Sequence, residues 1–146
     1  MPSQADAPPR PEPAAVVLDL DKPIPDSLRG AVLALGNFDG VHRGHAELAR
    51  VAGAMAHDLG TRPAAFPFEP HPRSVFRPEE PVFRLTSPQL KLEGLAAAGF
   101  AQVFVLPFDR DVAAIPAERF VDDLLIARLG ARGLVCGYDF LFGKGR

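Results

Sequence analysis

Short apolar runs that alternate with helical patterns constrain the fold of this chain more than any other feature. Ala31–Leu35 is apolar at every position, which is typical of a strand covered on both faces. The following helical pattern places Leu48, Val51, Ala52, Met55 and Leu59 on one stripe, and Gly60 ends it. Further strands are predicted at 15–18, 64–68, 103–106 and 133–137, and further helices at 88–98 and 116–129. This alternation predicts an α/β fold with a Rossmann-like parallel sheet and right-handed crossovers.

Polar clusters follow the predicted strands at the points where those strands end. The clusters are Gly36–His45, Glu69–Arg73, Asp109–Arg110 and Tyr138–Arg146. In an open parallel sheet the carboxyl ends of the strands meet at one edge, and ligands bind beyond that edge. The sequence therefore predicts one composite site built from all four clusters.

The cluster Gly36–His45 predicts a site for an anion at a strand-to-helix turn. A helix N-terminus offers free backbone N–H groups and the positive end of its dipole. His42 and His45 are three residues apart, so both imidazoles are expected to reach the same phosphate. A tight turn alone would explain the glycines but not the histidines. Zinc is disfavoured because no third ligand is evident, and neither G-x-G-x-x-G nor a P-loop is present.

Composition restricts the classes of partner. The chain has 146 residues, a net charge of −2 and one cysteine. This balance provides no basic stripe for nucleic acid, and a single cysteine excludes an intrachain disulfide. No apolar run reaches the roughly 20 residues of a membrane span, and no signal-peptide core is present, so a cytoplasmic protein without a membrane partner is predicted. Proline-rich residues 1–14 are expected to form a disordered tail before a single domain at 15–146.

Several motifs resemble one enzyme family. The segment Asn37–His45, read as N-F-D-G-V-H-R-G-H, is similar to the signature of bacterial FAD synthetases, which belong to the HxGH nucleotidyltransferase superfamily. Further segments agree in order and approximate spacing: F-E-P-H-P at 68–72, L-P-F-D-R at 106–110, V-C-G-Y-D-F at 135–140 and F-G-K-G-R at 142–146. The resemblance covers roughly residues 15–146.

The resemblance implies FMN adenylyltransfer, in which ATP and FMN give FAD and pyrophosphate with Mg²⁺ on the phosphates rather than in a side-chain metal site. His42 and His45 are the expected catalytic residues. The expected ATP-binding residues are Gly36, Asn37, Phe38, Asp39, Gly40, Gly44, Asp139, Lys144 and Arg146. The expected flavin-binding residues are Glu69, His71, Arg73, Phe140 and Phe142.

Simpler roles remain open for several of these residues. Asp39 is also suited to closing an Asx-type turn, and Phe140 and Phe142 to core packing. Asp109–Asp111 is expected to be a salt-bridged helix start rather than a ligand site. Cys136 is predicted to be inert core, and His57 to be a surface residue. An adenylyltransferase for another phosphorylated small molecule, such as phosphopantetheine, and a binding module without turnover are the alternative functions.

The family pattern extends beyond this sequence. The resemblance implies a further helix, an I-S-S-T-x-I-R-like segment that completes the phosphate site, and in longer homologues a C-terminal riboflavin kinase domain. The chain is therefore expected to be an N-terminal piece of a longer protein. We expect weak nucleotide binding, a tendency to associate, and little FAD production from this length alone.

Overall fold

Six strands and four helices make up the part of the chain that the computed structural model describes, namely residues 14–36, 38, 43–69, 79 and 88–137. The strands are β1 (Ala14–Val17), β2 (Val32–Leu35), β3 (Pro63–Phe66), β4 (Phe68–Glu69), β5 (Gln102–Pro107) and β6 (Gly133–Cys136). The helices are α1 (Arg43–Leu59), α2 (Pro88–Ala98), α3 (Arg110–Ala113) and α4 (Ala117–Arg119), and α4 continues directly into a π-helix (Phe120–Arg128). A 3₁₀ turn (Asp26–Leu28) follows β1. Of the tail predicted at 1–14, residues 1–13 lie outside the described residues, whereas Ala14 is the first residue of β1.

All described strand pairs are parallel, which confirms the predicted sheet. The strand order is β1-β5-β3-β2-β6, with β4 beside β5. The order reverses at β2, because β3 and β5 lie on one side of it and β6 lies on the other. Such a reversal opens a crevice at the carboxyl ends of the two strands on either side of it. The topology therefore places the crevice between β2 and β6.

Helices cover both faces of the central strand. Val32 and Ala34 belong to one core cluster, which also contains Ala52 of α1 and Leu95 of α2. Leu33 and Leu35 belong to the opposite cluster, which contains Phe120, Leu124 and Leu125 of the π-helix. This double coverage explains why 31–35 is apolar at every position.

The last helical segment has π rather than α geometry. Its N–H groups bond five residues back, as Leu129 N–H does to the Leu124 carbonyl at 3.0 Å. An i→i+5 helix aligns residues that are four and five apart. The buried residues Phe120, Leu124, Leu125 and Leu129 have that spacing. Gly130 then ends the helix with a φ of +61°, a conformation that glycine adopts without steric cost.

The prediction that Cys136 is buried was wrong. Its side chain is exposed, and Leu134 is 36% exposed. β6 is the last strand of the sheet within the described residues, and its burial alternates, with Gly133 and Val135 partly covered on the side of α1. Leu134 and Cys136 point to the other face, where the described helices do not cover them. An apolar strand sequence does not reveal which strand will lie at the sheet edge.

Candidate functional site

Three of the four predicted polar clusters begin at the same edge of the sheet. Gly36 directly follows β2, Glu69 is the last residue of β4, and Asp109 lies two residues after β5. Parallel pairing brings these carboxyl ends together. The fourth cluster, 138–146, lies outside the described residues. The convergence predicted from the sequence is therefore present for the described part of the chain.

The turn after β2 is anchored by Phe38. This residue has a φ of +55°, which is a costly backbone conformation for a large side chain, and its ring is completely buried. Burial of the ring offsets that cost. A Cβ on Gly36 would lie 3.2 Å from Cε2 of Phe38, so the ring packs back over the glycine. Gly36 is needed here for close approach, which is a more specific reason than general turn flexibility.

The imidazole of His45 packs against the ring of Phe38. It lies in the first turn of α1, is partly buried, and its imidazole centroid is 5.0 Å from the centroid of Phe38 at an angle of 53°. The ring of Phe38 in turn packs edge-on against the ring of Phe100, and the two ring centroids are 5.7 Å apart. The aromatic contacts therefore hold His45 beside the carboxyl end of β2, where the sequence analysis places a phosphate.

The N-terminus of α1 is favourable for an anion. No acidic residue lies in the first turn of this helix, so its own side chains do not neutralise the positive end of the dipole. The first carboxylate on the helix is Glu47, which is exposed and paired with Arg50. The hydrogen bond from Arg50 holds the pKa of the Glu47 carboxyl below its ordinary value, and the same bond raises the pKa of Arg50.

Glu69 and Asp109 have structural partners at the same edge. Oε1 of Glu69 lies 2.6 Å from Nζ of Lys91 on α2, and both side chains are largely buried. The carboxylate of Asp109 accepts the backbone N–H of Val112 at 2.8 Å and thereby caps α3. This confirms the predicted helix start, but the contact that fixes it is an N-cap hydrogen bond rather than the expected salt bridge, which is absent among the described ion pairs. His57 is exposed in the last turn of α1, as predicted.

The predicted site residues divide into those that the structure describes and those that lie outside the described ranges. Gly36, Phe38, Gly44, His45 and Glu69 lie within the described chain, at the sheet edge or in the first turn of α1. The residues outside the described ranges are Asn37, Asp39, Gly40, His42, His71, Arg73, Asp139, Phe140, Phe142, Lys144 and Arg146. Because the ring of Phe38 is buried, only its backbone is available to a ligand.

Lys91 and Phe100 were not predicted from the sequence to contribute to the site. Lys91 is the one charged residue in the first turn of α2, and Phe100 directly follows the glycine after that helix. A lysine on a helix is normally a solvated surface residue, so the signal in the sequence is weak.

No helix in the described ranges is both long enough and apolar enough to cross a membrane.

Comparisons with known proteins agree on one family. The family model for FAD synthetase matches residues 24–146. The bifunctional riboflavin kinase/FMN adenylyltransferase of Escherichia coli (strain K12) is 40% identical over 117 residues, covering 80% of this chain and 37% of that protein. The corresponding protein of Bacillus subtilis (strain 168) is 34% identical over 115 residues, covering 78% of this chain and 36% of that protein. The chain thus spans little more than a third of the length of these relatives.

A solved structure has the same fold. The crystal structure of a macrolide-efflux protein from Streptococcus pneumoniae matches with a TM-score of 0.75 and 25% sequence identity. The match covers 88% of this chain and 42% of that one. It supports the α/β architecture with a parallel sheet.

Proposed function

The chain belongs to the FAD synthetase family, and from this premise we propose that it acts as an FMN adenylyltransferase. In this reaction a phosphate oxygen of FMN attacks the α-phosphorus of ATP. A new P–O bond forms, the bond from the α-phosphorus to the oxygen that bridges to the β-phosphorus breaks, and pyrophosphate leaves. The products are FAD and pyrophosphate.

The protein contributes position and charge rather than a covalent nucleophile. In-line phosphoryl chemistry needs alignment of the two substrates and stabilisation of negative charge in the transition state. The observation that carries the proposal is the placement of His45, against the ring of Phe38, in the first turn of α1, which contains no acidic residue. An imidazole N–H and the first-turn backbone N–H groups are donors suited to the triphosphate.

Further residues complete the proposed site. His42, Gly36, Gly40 and Gly44 would hold the phosphates together with His45, and Asp139, Lys144 and Arg146 would contact ATP from the segment after β6. Asn37, Phe38 and Asp39 complete the ATP side, and Glu69, His71, Arg73, Phe140 and Phe142 form the flavin side. Mg²⁺ carried by the phosphates of ATP would neutralise part of their charge. The riboflavin kinase activity in the relatives' names belongs to those proteins, and a linked C-terminal kinase domain is the proposed partner in longer homologues.

FAD formation from ATP, Mg²⁺ and FMN tests the proposal directly. Replacing His45 by Ala should reduce turnover by roughly 10²–10³-fold, by analogy with the loss of one oxyanion-type donor. His57→Ala is the matched control, because His57 lies exposed at the other end of the same helix and should leave turnover unchanged. Full activity in His45→Ala would show that the assigned role is wrong. If the enzyme used phosphopantetheine in preference to FMN, the proposed acceptor would be wrong.

A further inference from the structure

An ion pair with little solvent exposure joins Lys91 to Glu69 of the proposed flavin side, and Lys91 itself has no role in the reaction as written. Nζ of Lys91 is 2.6 Å from Oε1 of Glu69, and the two side chains are 12% and 26% exposed. Other described ion pairs are solvent-exposed, as Arg50 and Glu47 on α1 are. Both side chains of this pair are therefore partly shielded from water, unlike those of the other described pairs.

Glu69 and Lys91 together form a side wall of the proposed site, next to the turn after β2. Leu35, the last residue of β2, pairs with Phe66 of β3, and Glu69 lies three residues further along the chain, in β4. At the rise of an extended chain, Glu69 therefore projects roughly 10 Å beyond the end of β2. Its carbonyl accepts the backbone N–H of Phe108 at 2.8 Å, which fixes the main chain, and Lys91 fixes the side chain.

The same helix supports the wall and the turn. Lys91 lies one helical turn before Leu95, and Leu95 is completely buried in the core cluster that contains Phe38 and Phe100. Movement of α2 would therefore shift the carboxylate at the wall and the ring beneath His45 together. The wall lies on the β3/β4 side of the turn, whereas β6 lies on the opposite side.

Stability alone does not account for a charged pair at this position. Removing two charges from water is costly, and an apolar pair of similar volume often serves a fold equally well. Lys91 also lies in the first turn of α2, where the helix dipole disfavours a positive charge. A fixed carboxylate at a defined place is what the ion pair provides and an apolar pair would not.

We propose that Lys91 is a positioning residue for the FMN side of the site, acting through Glu69. This inference rests on the proposed function. ATP lies over the N-terminus of α1, and its acceptor must approach the α-phosphorus from the side opposite to the departing pyrophosphate. The wall at Glu69 borders that approach on the β3/β4 side. The ion pair therefore controls the binding of FMN and leaves the binding of ATP unaffected.

The test compares kinetic constants for both substrates in four variants. Lys91→Gln breaks the pair, and Lys91→Arg keeps the positive charge. The double variant Glu69→Gln with Lys91→Met removes both charges, so no unpaired charge remains buried if Lys91→Gln alone fails to fold. Arg50→Gln is the control, because it breaks an exposed ion pair remote from the wall. Thermal unfolding of each variant is measured in parallel.

We expect the KM for FMN to rise about tenfold or more in Lys91→Gln and in the double variant, since small misplacements at a site have effects of that size. The KM for ATP should stay within about twofold, Lys91→Arg should recover most of the loss, and Arg50→Gln should match the wild type. A lowered Tm with both KM values unchanged, or a parallel rise of both KM values, would overturn the proposal. If the wild type makes FAD, however slowly, and the variants match it, only this inference fails. A wild type that makes no FAD even with the downstream segment that the family pattern implies refutes the proposed function as well.

Discussion

At the scale of single residues, a packing contact with the core helps to position a residue of the proposed site. Phe38 occupies a left-handed conformation that few large residues adopt, and its buried ring supports His45 from below. The hydrophobic core thus contributes to the position of the imidazole. Core packing of this kind fixes a donor more rigidly than a solvent-exposed side chain would be fixed.

Gly36→Ala tests this contact. The added methyl group would lie 3.2 Å from the ring of Phe38, which cannot move because it is fully buried. We expect a loss of about 1–3 kcal/mol in the free energy of unfolding, as for other overpacked cores. Gly53→Ala is the control, because a methyl group at that position on α1 would have nothing within 4 Å, and it should stabilise the helix by up to about 1 kcal/mol. Equal stability of both variants in urea would contradict the packing argument.

Cys136 gives a second prediction at this scale. Because the thiol is exposed at the sheet edge, a thiol reagent should modify it in the native protein without prior unfolding. Cys136→Ser should change the free energy of unfolding by no more than about 0.5 kcal/mol, as is usual for exposed positions. Labelling that occurs only in denaturant would show that the strand face is covered.

At the scale of elements, α3 shows how a charged motif can have a structural role. Asp109→Ala should lower the free energy of unfolding by about 1 kcal/mol through loss of the N-cap, while Asp109→Asn should retain most of it. Asp111→Ala, at an exposed position in the same helix, is the control. FAD formation should be unchanged in all three variants. A selective increase in the KM for either substrate in Asp109→Ala would instead assign Asp109 to the ligand site.

The elements were predictable from the sequence because each depends on local periodicity. The run 31–35 became β2, and the stripe that Gly60 ends became α1. Pro67 divides the predicted strand 64–68 into β3 and β4, as the loss of a backbone donor requires. The π register of Phe120–Arg128 was not predictable, because residues four and five apart also fit the apolar stripe of an α-helix.

Contacts between distant segments were beyond the reach of periodicity. Glu69 was predicted at the site, but its partner Lys91 is 22 residues away and belongs to another element. The exposure of Cys136 likewise depends on strand order, which places β6 at an edge. For the same reason, the motif in Gly36–His45 predicted the location of the site but not the support that Phe38 gives to His45.

At the scale of the whole molecule, the sheet reverses its order at β2, and the proposed substrates bind at that edge. Ligands that bind only the native state stabilise it by mass action, by about 2.7 kcal/mol at a concentration 100 times the Kd. For a domain of this size each kcal/mol corresponds to about 2–4 °C, so ATP with Mg²⁺ should raise the Tm by roughly 5–10 °C once its concentration reaches that multiple of the Kd. Weak binding would move the concentration required into the millimolar range without removing the effect.

Sodium sulfate at the same ionic strength controls for general salt stabilisation. His45→Ala should need a higher concentration of ATP for the same shift, because one phosphate donor is gone. A Tm that responds equally to ATP and to sulfate would show that the sheet edge holds no nucleotide site.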